Sequence, residues 1–327
     1  MKRTTASTIA VASALALSGP ALSAESYPER RVDIIVSFAP GGATDILGRY
    51  LADELSKYYD ATFVVDNKAG AGGRRGTQLA AQAEPDGYTL FLGQVSSHGV
   101  APPLYGDAVG YDPIEDFAPI ALVSASPQVM VVSSNSEIES VADFMEYAKE
   151  NNVIYGSSGI GTTVHLSGEL FNTMAGTDLQ HVPYGGSGPA KAGLQSGEVD
   201  VMFDDLPSSM SQIKSGDFRA LAVTVDERNP ELPDVPTLSE AGAEFGLDGF
   251  DASAWFVLAA PAGLDAAILG SLNEAMNSVL EEEAVREFLG NNGSVPLGGS
   301  PEDAAEHSRT ELEKWDGVIE AADITVN

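Results

Sequence analysis

The sequence predicts an α/β fold of two domains joined by two crossings of the chain. Three observations carry this expectation. Apolar runs of strand length alternate with stretches of helical spacing. Glycine-rich turns follow the strands in both halves. The length, 327 residues with 43% hydrophobic content, exceeds one small core and suits two.

Val32 to Phe38 reads as a buried strand, Phe38-Ala39-Pro40-Gly41-Gly42-Ala43-Thr44-Asp45 as a glycine turn, and Ile46 to Tyr58 as an amphipathic helix. A helix start of this kind points backbone N–H groups at whatever binds there. Ala61 to Val65 predicts a second strand. Lys68 to Gly76 reads as a glycine-rich loop before a helix over Thr77 to Ala83. Tyr88 to Gly93 is a third strand, and Gln94-Val95-Ser96-Ser97-His98 reads as a polar loop. The alternation implies a mostly parallel sheet. Two short strands follow, Ala118 to Val123 and Val129 to Val132, with the first interdomain crossing at Ser124 to Pro127.

The second half repeats the opening pattern. A helix over Val141 to Asn151 leads to a strand at Val153 to Tyr155, the loop Gly156 to Thr163, and a helix from Val164. Strand Leu179 to Val182 enters the loop Pro183 to Pro189, with a helix from Ala190. Val199 to Phe203 is a strand ending in Asp204-Asp205, Ala220 to Thr224 another, and Pro230 to Pro236 a surface loop. Ala254 to Ala259 reads as the return crossing. Helices are expected over Leu264 to Leu280, Glu283 to Leu289 and Pro301 to Ala321. The resulting division is 1–24 as a leader, 25–125 plus 253–327 as the first domain, and 126–252 as the second.

The leader reads as a secretory signal peptide. Lys2 and Arg3 precede an apolar run over Thr8 to Ser18, too short to span a membrane, and small residues offer cleavage near Ala24, after it or after Ser23. There is no cysteine, which removes disulfides and thiolate chemistry. The net charge is −31 from 48 acidic and 17 basic residues. Such a surface excludes nucleic acid as partner, since phosphate binding needs a basic footprint. The acids are dispersed, which points to a surface adapted to high salt; at about 1 M the screening length falls to roughly 3 Å.

Enzyme motifs fail. No serine has glycine both two before and two after it. Arg75 stands where the dinucleotide fingerprint opened by Gly70 and Gly72 needs its third glycine. His98, His165, His181 and His307 show no metal spacing. No catalytic residue, metal or cofactor is expected. The glycine loops remain: helix N-termini favour anions by about 0.3–1 kcal/mol each when exposed. Hydroxyls of Thr44, Ser96, Ser97, Thr162, Thr163 and Ser187 can add hydrogen bonds, and a carboxylate fits the set.

These segments resemble the receptors of the tripartite tricarboxylate transporter, the Bug family. The resemblance rests on Tyr27-Pro28 with Phe38-Ala39-Pro40-Gly41-Gly42 and Asp45, on Val64-Val65-Asp66-Asn67 with Gly70-Ala71-Gly72-Gly73, and on Pro85-Asp86-Gly87-Tyr88-Thr89-Leu90. It continues through Tyr111-Asp112-Pro113, Asp116-Phe117-Ala118-Pro119, Gly161-Thr162 with His165-Leu166, His181-Val182-Pro183-Tyr184, Leu221-Ala222-Val223-Thr224 and Leu232-Pro233-Asp234-Val235-Pro236-Thr237. It covers about Tyr27 to Trp315, in order and spacing.

The resemblance implies a type II flytrap-like periplasmic binding protein, a monomer, that captures a small organic mono- or dicarboxylate and delivers it to membrane permease subunits. The alternative is a carboxylate sensor reporting to a membrane kinase. In such receptors a carboxylate sits between the first strand–helix loop and a loop of the second domain, helped by water. Carried over, Phe38, Gly41, Gly42, Ala43, Thr44 and Asp45 form one wall. Gly159, Gly161, Thr162 and Thr163 form the other, with Tyr184, Gly185, Ser187, Asp204 and Asp205 nearby. Ser96, Ser97 and His98 would lie distally.

The chain departs from the family at two places. Arg74-Arg75 replace a more usual Asn and apolar residue; Arg74 is either solvated or a second carboxylate contact. Asp205 adds a charge where an uncharged residue is common, either solvated or paired with a ligand amine. His165 reads as structural, and Asp45 as a helix-start charge or an orienter of Thr44 or water.

Overall fold

In the first lobe, strand β1 (Val32–Val36) runs into helix α1 (Ala43–Tyr59), then β2 (Phe63–Asn67), α2 (Arg74–Ala81) and β3 (Thr89–Gln94). The computed structural model describes residues 27–321; the leader expectation at 1–24 lies outside the described residues. The chain continues through α3 (Ala101–Tyr105) into β4 (Phe117–Ser133), which enters the second lobe. There follow α4 (Val141–Glu150), β5 (Ile154–Ser157), α5 (Thr163–Ala175), β6 (Gln180–Pro183), α6 (Ser187–Ser196), β7 (Val201–Asp205), α7 (Leu206–Ser215), β8 (Phe218–Val223) and α8 (Leu238–Gly242). Strand β9 (Ser253–Pro261) returns to the first lobe, which closes with α9 (Ala266–Glu281), α10 (Glu283–Asn291), β10 (Val295–Gly298) and α11 (Pro301–Ala321).

The strands form one sheet in the order β2-β1-β3-β9-β4-β7-β5-β6, with β8 and β10 also paired to β4. β1 pairs in parallel with β2 and β3, and β5 with β6 and β7; β4, β8, β9 and β10 pair antiparallel. The sheet is therefore mixed rather than mostly parallel, because both crossings run against their neighbours. The expected pair of short strands around Ser124 to Pro127 is one 17-residue strand. Pro119 and Pro127 do not end it. Pro119 borders a register shift against β9, the kind of position where a strand accommodates proline. The strand leaves β9 at Pro127, opposite Ser253, and joins β7 at Gln128, opposite Asp205.

Each lobe packs apolar helix faces on both sides of its part of the sheet. In the first lobe Leu47, Leu51 and Leu55 of α1 meet Ile34, Leu90 and Phe256, with Leu272, Met276 and Val279 of α9 behind them. In the second, Phe144 and Phe171 pack on Met130 and Phe203 on one face. Leu194 and Met210 pack on Val131 and Met202 on the other. Burial of each such side chain contributes roughly 1.5–3 kcal/mol.

Three local expectations change. Arg74 and Arg75 belong to the first turn of α2 rather than a loop, after a 3₁₀ turn at Ala71–Gly73. Gly76 allows this: a Cβ there would stand 2.6 Å from Ser37 Cα, so α2 lies directly on the end of β1. Gln94 to His98 is not a loop either; Ser96–Val100 forms a wide helical turn leading into α3. Its Ser97 hydroxyl is satisfied locally, since Ser97 Oγ accepts the Gln94 N–H at 3.1 Å and donates to the Gln94 carbonyl at 2.9 Å. Finally, α7 and β10 occupy segments that periodicity leaves unassigned, although Pro207 at the start of α7 is a recognisable helix opening.

Candidate ligand-binding site

The N-terminus of α1 is buried and carries no side-chain cap. Its N-cap is Gly42, and Ala43, Thr44 and Asp45 are all buried. The N–H groups of a first helical turn lack intrahelical acceptors and project beyond the helix end. Gly41, at φ +90°, makes the turn that brings the chain onto α1, a conformation costly for other residues. Asp45 braces this turn: its carboxylate accepts the Gly41 N–H at 3.0 Å and Asn67 Nδ2 at 2.9 Å, and pairs with Arg49 at 2.8 Å. Burial works against its charge, but these contacts outweigh it and hold the carboxyl below its usual range. Asp45 is thus spent on the turn itself.

Across the seam stand the starts of α5 and α6. Thr162 caps α5, its hydroxyl accepting the His165 N–H. Thr163 N–H donates to Ser96 Oγ of the first lobe at 2.9 Å, and the two hydroxyls lie 3.1 Å apart. α6 starts at Gly186 with no side-chain cap. Backbone meets backbone here: a Cβ on Gly188 would stand 2.9 Å from the Pro40 carbonyl oxygen, and one on Gly42 3.7 Å from Ser187 Cβ. Lys191, buried in α6, donates to the carbonyls of Ser208 and, across the seam at 3.3 Å, Gly41. Burial lowers its pKa, and nearby Asp204 opposes that shift.

Between these helix starts the sheet presents a polar strip. Gln94 and Ser124 both lie opposite Phe256 and so share its face. Ser126 and Gln128 follow on the same side of β4 by strand alternation, and Asp205 lies opposite Gln128. Thr44 Oγ1 donates to Gln94 Oε1 at 3.2 Å. Gln128 Nε2 donates to Asp205 Oδ1 at 3.1 Å, while its Oε1 accepts from Ser167 of α5. Asp205 is 6% exposed; burial, and then Asp204, push its carboxyl up to about 7 against the Gln128 hydrogen bond. Among the described residues Ser124 Oγ and Ser126 Oγ are buried without a partner.

Most of the sequence-predicted residues therefore gather along this seam. Phe38 sits behind the turn, its ring against Gly73. Gly159 lies against Gly72, and Ile160 accepts from Tyr105 OH across the seam at 3.2 Å. Gly161 N–H donates to His165 Nδ1, and the His165 ring stacks on His181 at 4.1 Å, which fits a structural His165. Gly185 is exposed, and the Tyr184 hydroxyl turns toward Gly193 of α6. Asp204 faces away from the strip, taking Ser209 Oγ at 2.7 Å.

One expected distal contact is placed elsewhere. His98 is 1% exposed and turned into the first lobe's core, ringed by Phe91, Phe117 and Trp255, and burial pushes its pKa down to about 4. Ser97 is held by Gln94, as above, and its carbonyl accepts from the Tyr111 hydroxyl at 2.8 Å. Arg74 lies at the outer rim of the seam: its guanidinium stacks 3.7 Å over the Tyr105 ring and donates to the Ala71 and Ala108 carbonyls. It lines an outer pocket of 300 Å³ with Gly72, Gly159, Ile160 and Tyr184. A larger surface pocket of 390 Å³, at Ser133–Ile138 and the end of α6, is remote from the helix starts.

Sequence reasoning missed Gln94, Gln128, Ser167 and Lys191. Lys191 is the one with a legible signal, a lone charge in the small-residue helix Pro189-Ala190-Lys191-Ala192-Gly193. Among the described residues no His, Asp or Glu cluster could hold a metal, and no described helix is long and apolar enough to cross a membrane.

Residues 47–324 match the family model for the tripartite tricarboxylate transporter family receptor, TctC. Protein BugT of Bordetella pertussis is 34% identical over 300 residues, covering 91% of each chain. The structure of Rpa4515 of R. palustris with adipate aligns with TM-score 0.87 at 36% identity, over 91% of this chain and 99% of that one. MatC of Rhodopseudomonas palustris with bound malate aligns with TM-score 0.83 at 31% identity, over 90% of this chain and 100% of that one.

Proposed function

We propose that this chain, which belongs to the tripartite tricarboxylate transporter receptor family, binds a small organic carboxylate between its lobes and hands it to a membrane transporter. Its relatives are solute-binding receptors and not enzymes. The observation that carries the reading is the buried N-terminus of α1, without a side-chain cap, meeting the equally uncapped start of α6 across the seam. The first-turn N–H groups of α1, in a site with few cations, suit a carboxylate held mainly by backbone. The adipate and malate of the two neighbours are consistent with that class of ligand.

The lobes, 25–125 plus 253–327 and 126–252, hinge at β4 and β9 and close on the ligand. The exported monomer works in the periplasm after cleavage near Ala24, on a surface whose charge of −31 suits high salt. A thermal-shift screen of the mature protein against mono-, di- and tricarboxylates, with sugars and amines lacking a carboxyl as controls, tests the reading. Stabilisation by a carboxylate set alone is expected, because a ligand that binds only the folded state raises stability by mass action. A response confined to the controls sinks it.

A further inference from the structure

The polar strip under the seam ends in a buried acid, and that acid narrows the ligand. Asp205 is presented from β7 beside Gln128, whose amide already donates to one of its carboxyl oxygens. The Ser167 hydroxyl lies within hydrogen-bond reach of both Gln128 Oε1 and the Thr163 carbonyl, sharing its one proton between them, and the Thr163 N–H reaches Ser96. Asp205 thus sits at one end of a hydrogen-bonded chain that runs from the second lobe's floor to the first lobe's wall. Ser126 Oγ, two residues before Gln128 on the same face, is 3% exposed and has no partner among the described residues. The other two charges in this region do not balance Asp205. Lys191 lies with Asp204 on the opposite face of β7, and the Arg74 guanidinium stacks on Tyr105 at the outer rim of the seam.

We propose that Asp205 makes this receptor select carboxylates carrying a hydrogen-bond donor, a hydroxyl or an ammonium, at the end remote from α1, and that it discriminates against dicarboxylates. This rests on the carboxylate reading above. The physical reason is a pairing rule. A ligand donor gives the Asp205 carboxyl and the Ser126 hydroxyl a partner in a buried place. A second carboxylate brings a like charge against Asp205 where little solvent screens it. A hydroxyl and an ammonium satisfy the same acceptor; the ammonium adds charge attraction.

The test uses the mature full-length protein and three matched series, of four, five and six carbons. Each contains the simple monocarboxylate, the dicarboxylate, the ω-hydroxy acid and the ω-amino acid. Affinity is measured by calorimetry at pH 8, where Asp205 is ionised. The expected result is a hydroxy or amino acid binding at least about tenfold tighter than the dicarboxylate of equal length. In Asp205→Asn that ratio falls at least about tenfold or inverts, because the amide carries no charge. A dicarboxylate that binds the unmodified protein as well as its donor-bearing analogue overturns the proposal while leaving the carboxylate reading intact. So does a ratio unchanged in Asp205→Asn. Binding of no carboxylate in any series overturns both.

Discussion

Ser96 and Thr163 join the two lobes: the Ser96 hydroxyl oxygen accepts the Thr163 N–H at 2.9 Å and lies 3.1 Å from the Thr163 hydroxyl. One residue is fixed by the helical turn after β3, the other by the start of α5. Removing Ser96 leaves both Thr163 groups without this partner. Ser96→Ala is expected to weaken ligand affinity by about threefold to tenfold, as loss of a buried hydrogen bond costs about 0.5–1.5 kcal/mol. Thr163→Val, which keeps the backbone donor, should cost less. Calorimetry on both variants checks the order; equal or reversed losses contradict a closure role for the Ser96 contact.

Gly188 separates closure from folding. It sits in the first turn of α6, where alanine is a better helix former, yet a Cβ there would press on the Pro40 carbonyl of the other lobe. Gly188→Ala should therefore leave the ligand-free melting temperature unchanged or raised and weaken binding by tenfold or more, about 1.4 kcal/mol. Normal affinity in this variant would show that the lobes do not meet here in the bound state.

Lys191 reaches Gly41 from the opposite lobe, and the peptide it touches leads directly into the α1 N-terminus. An ammonium on that carbonyl holds the turn and polarises its peptide toward donation. Lys191→Met keeps the length and the apolar stem but loses the charge-assisted bond, worth about 1.5–3 kcal/mol. The expected outcome is tenfold or greater loss of affinity with faster ligand release, read by stopped-flow fluorescence. A fall in association rate alone would place the effect in encounter rather than closure.

The stacked pair His165 and His181 predicts acid sensitivity. Burial first, and then the neighbouring His165 ring, push His181 down to about 3, and burial lowers His165 as well. In the unfolded chain both titrate near the ordinary 6.5. Their folded values lie below the unfolded ones, so the folded state is favoured above 6.5 and loses stability as pH falls toward about 3. Glu169 near His165 partly offsets this. His181→Gln, which can still pair with Ser157, should flatten the decline of melting temperature across that window. An identical decline in the variant assigns the acid sensitivity elsewhere, with buried His98 the next group to replace.

The family and the α/β class were legible in the residue order, because local backbone chemistry writes them. Glycine at 41 and 42 forces a turn, the apolar run before it forces a strand, and the spacing of Leu47, Leu51 and Leu55 forces a helix. The residues gathered along the seam were largely legible too, through motifs that the family repeats. Local reasoning could not say which polar residues face inward. Gln94 reads as part of a polar loop and Gln128 falls between the expected crossing and the next strand, yet register against Phe256 and Asp205 puts them on one buried face. His98 looks like a loop residue, yet a helical turn buries it among Phe91, Phe117 and Trp255. Arg74 looks available to a ligand, yet α2 starts three residues before the expected Thr77 and lays it on Tyr105. Each depends on partners far away in sequence: 150 residues separate Lys191 from Gly41, and 77 separate Asp205 from Gln128. Sequence periodicity reports a residue's own helix or strand; what that residue faces is set by packing between elements, and only the folded chain brings those surfaces together.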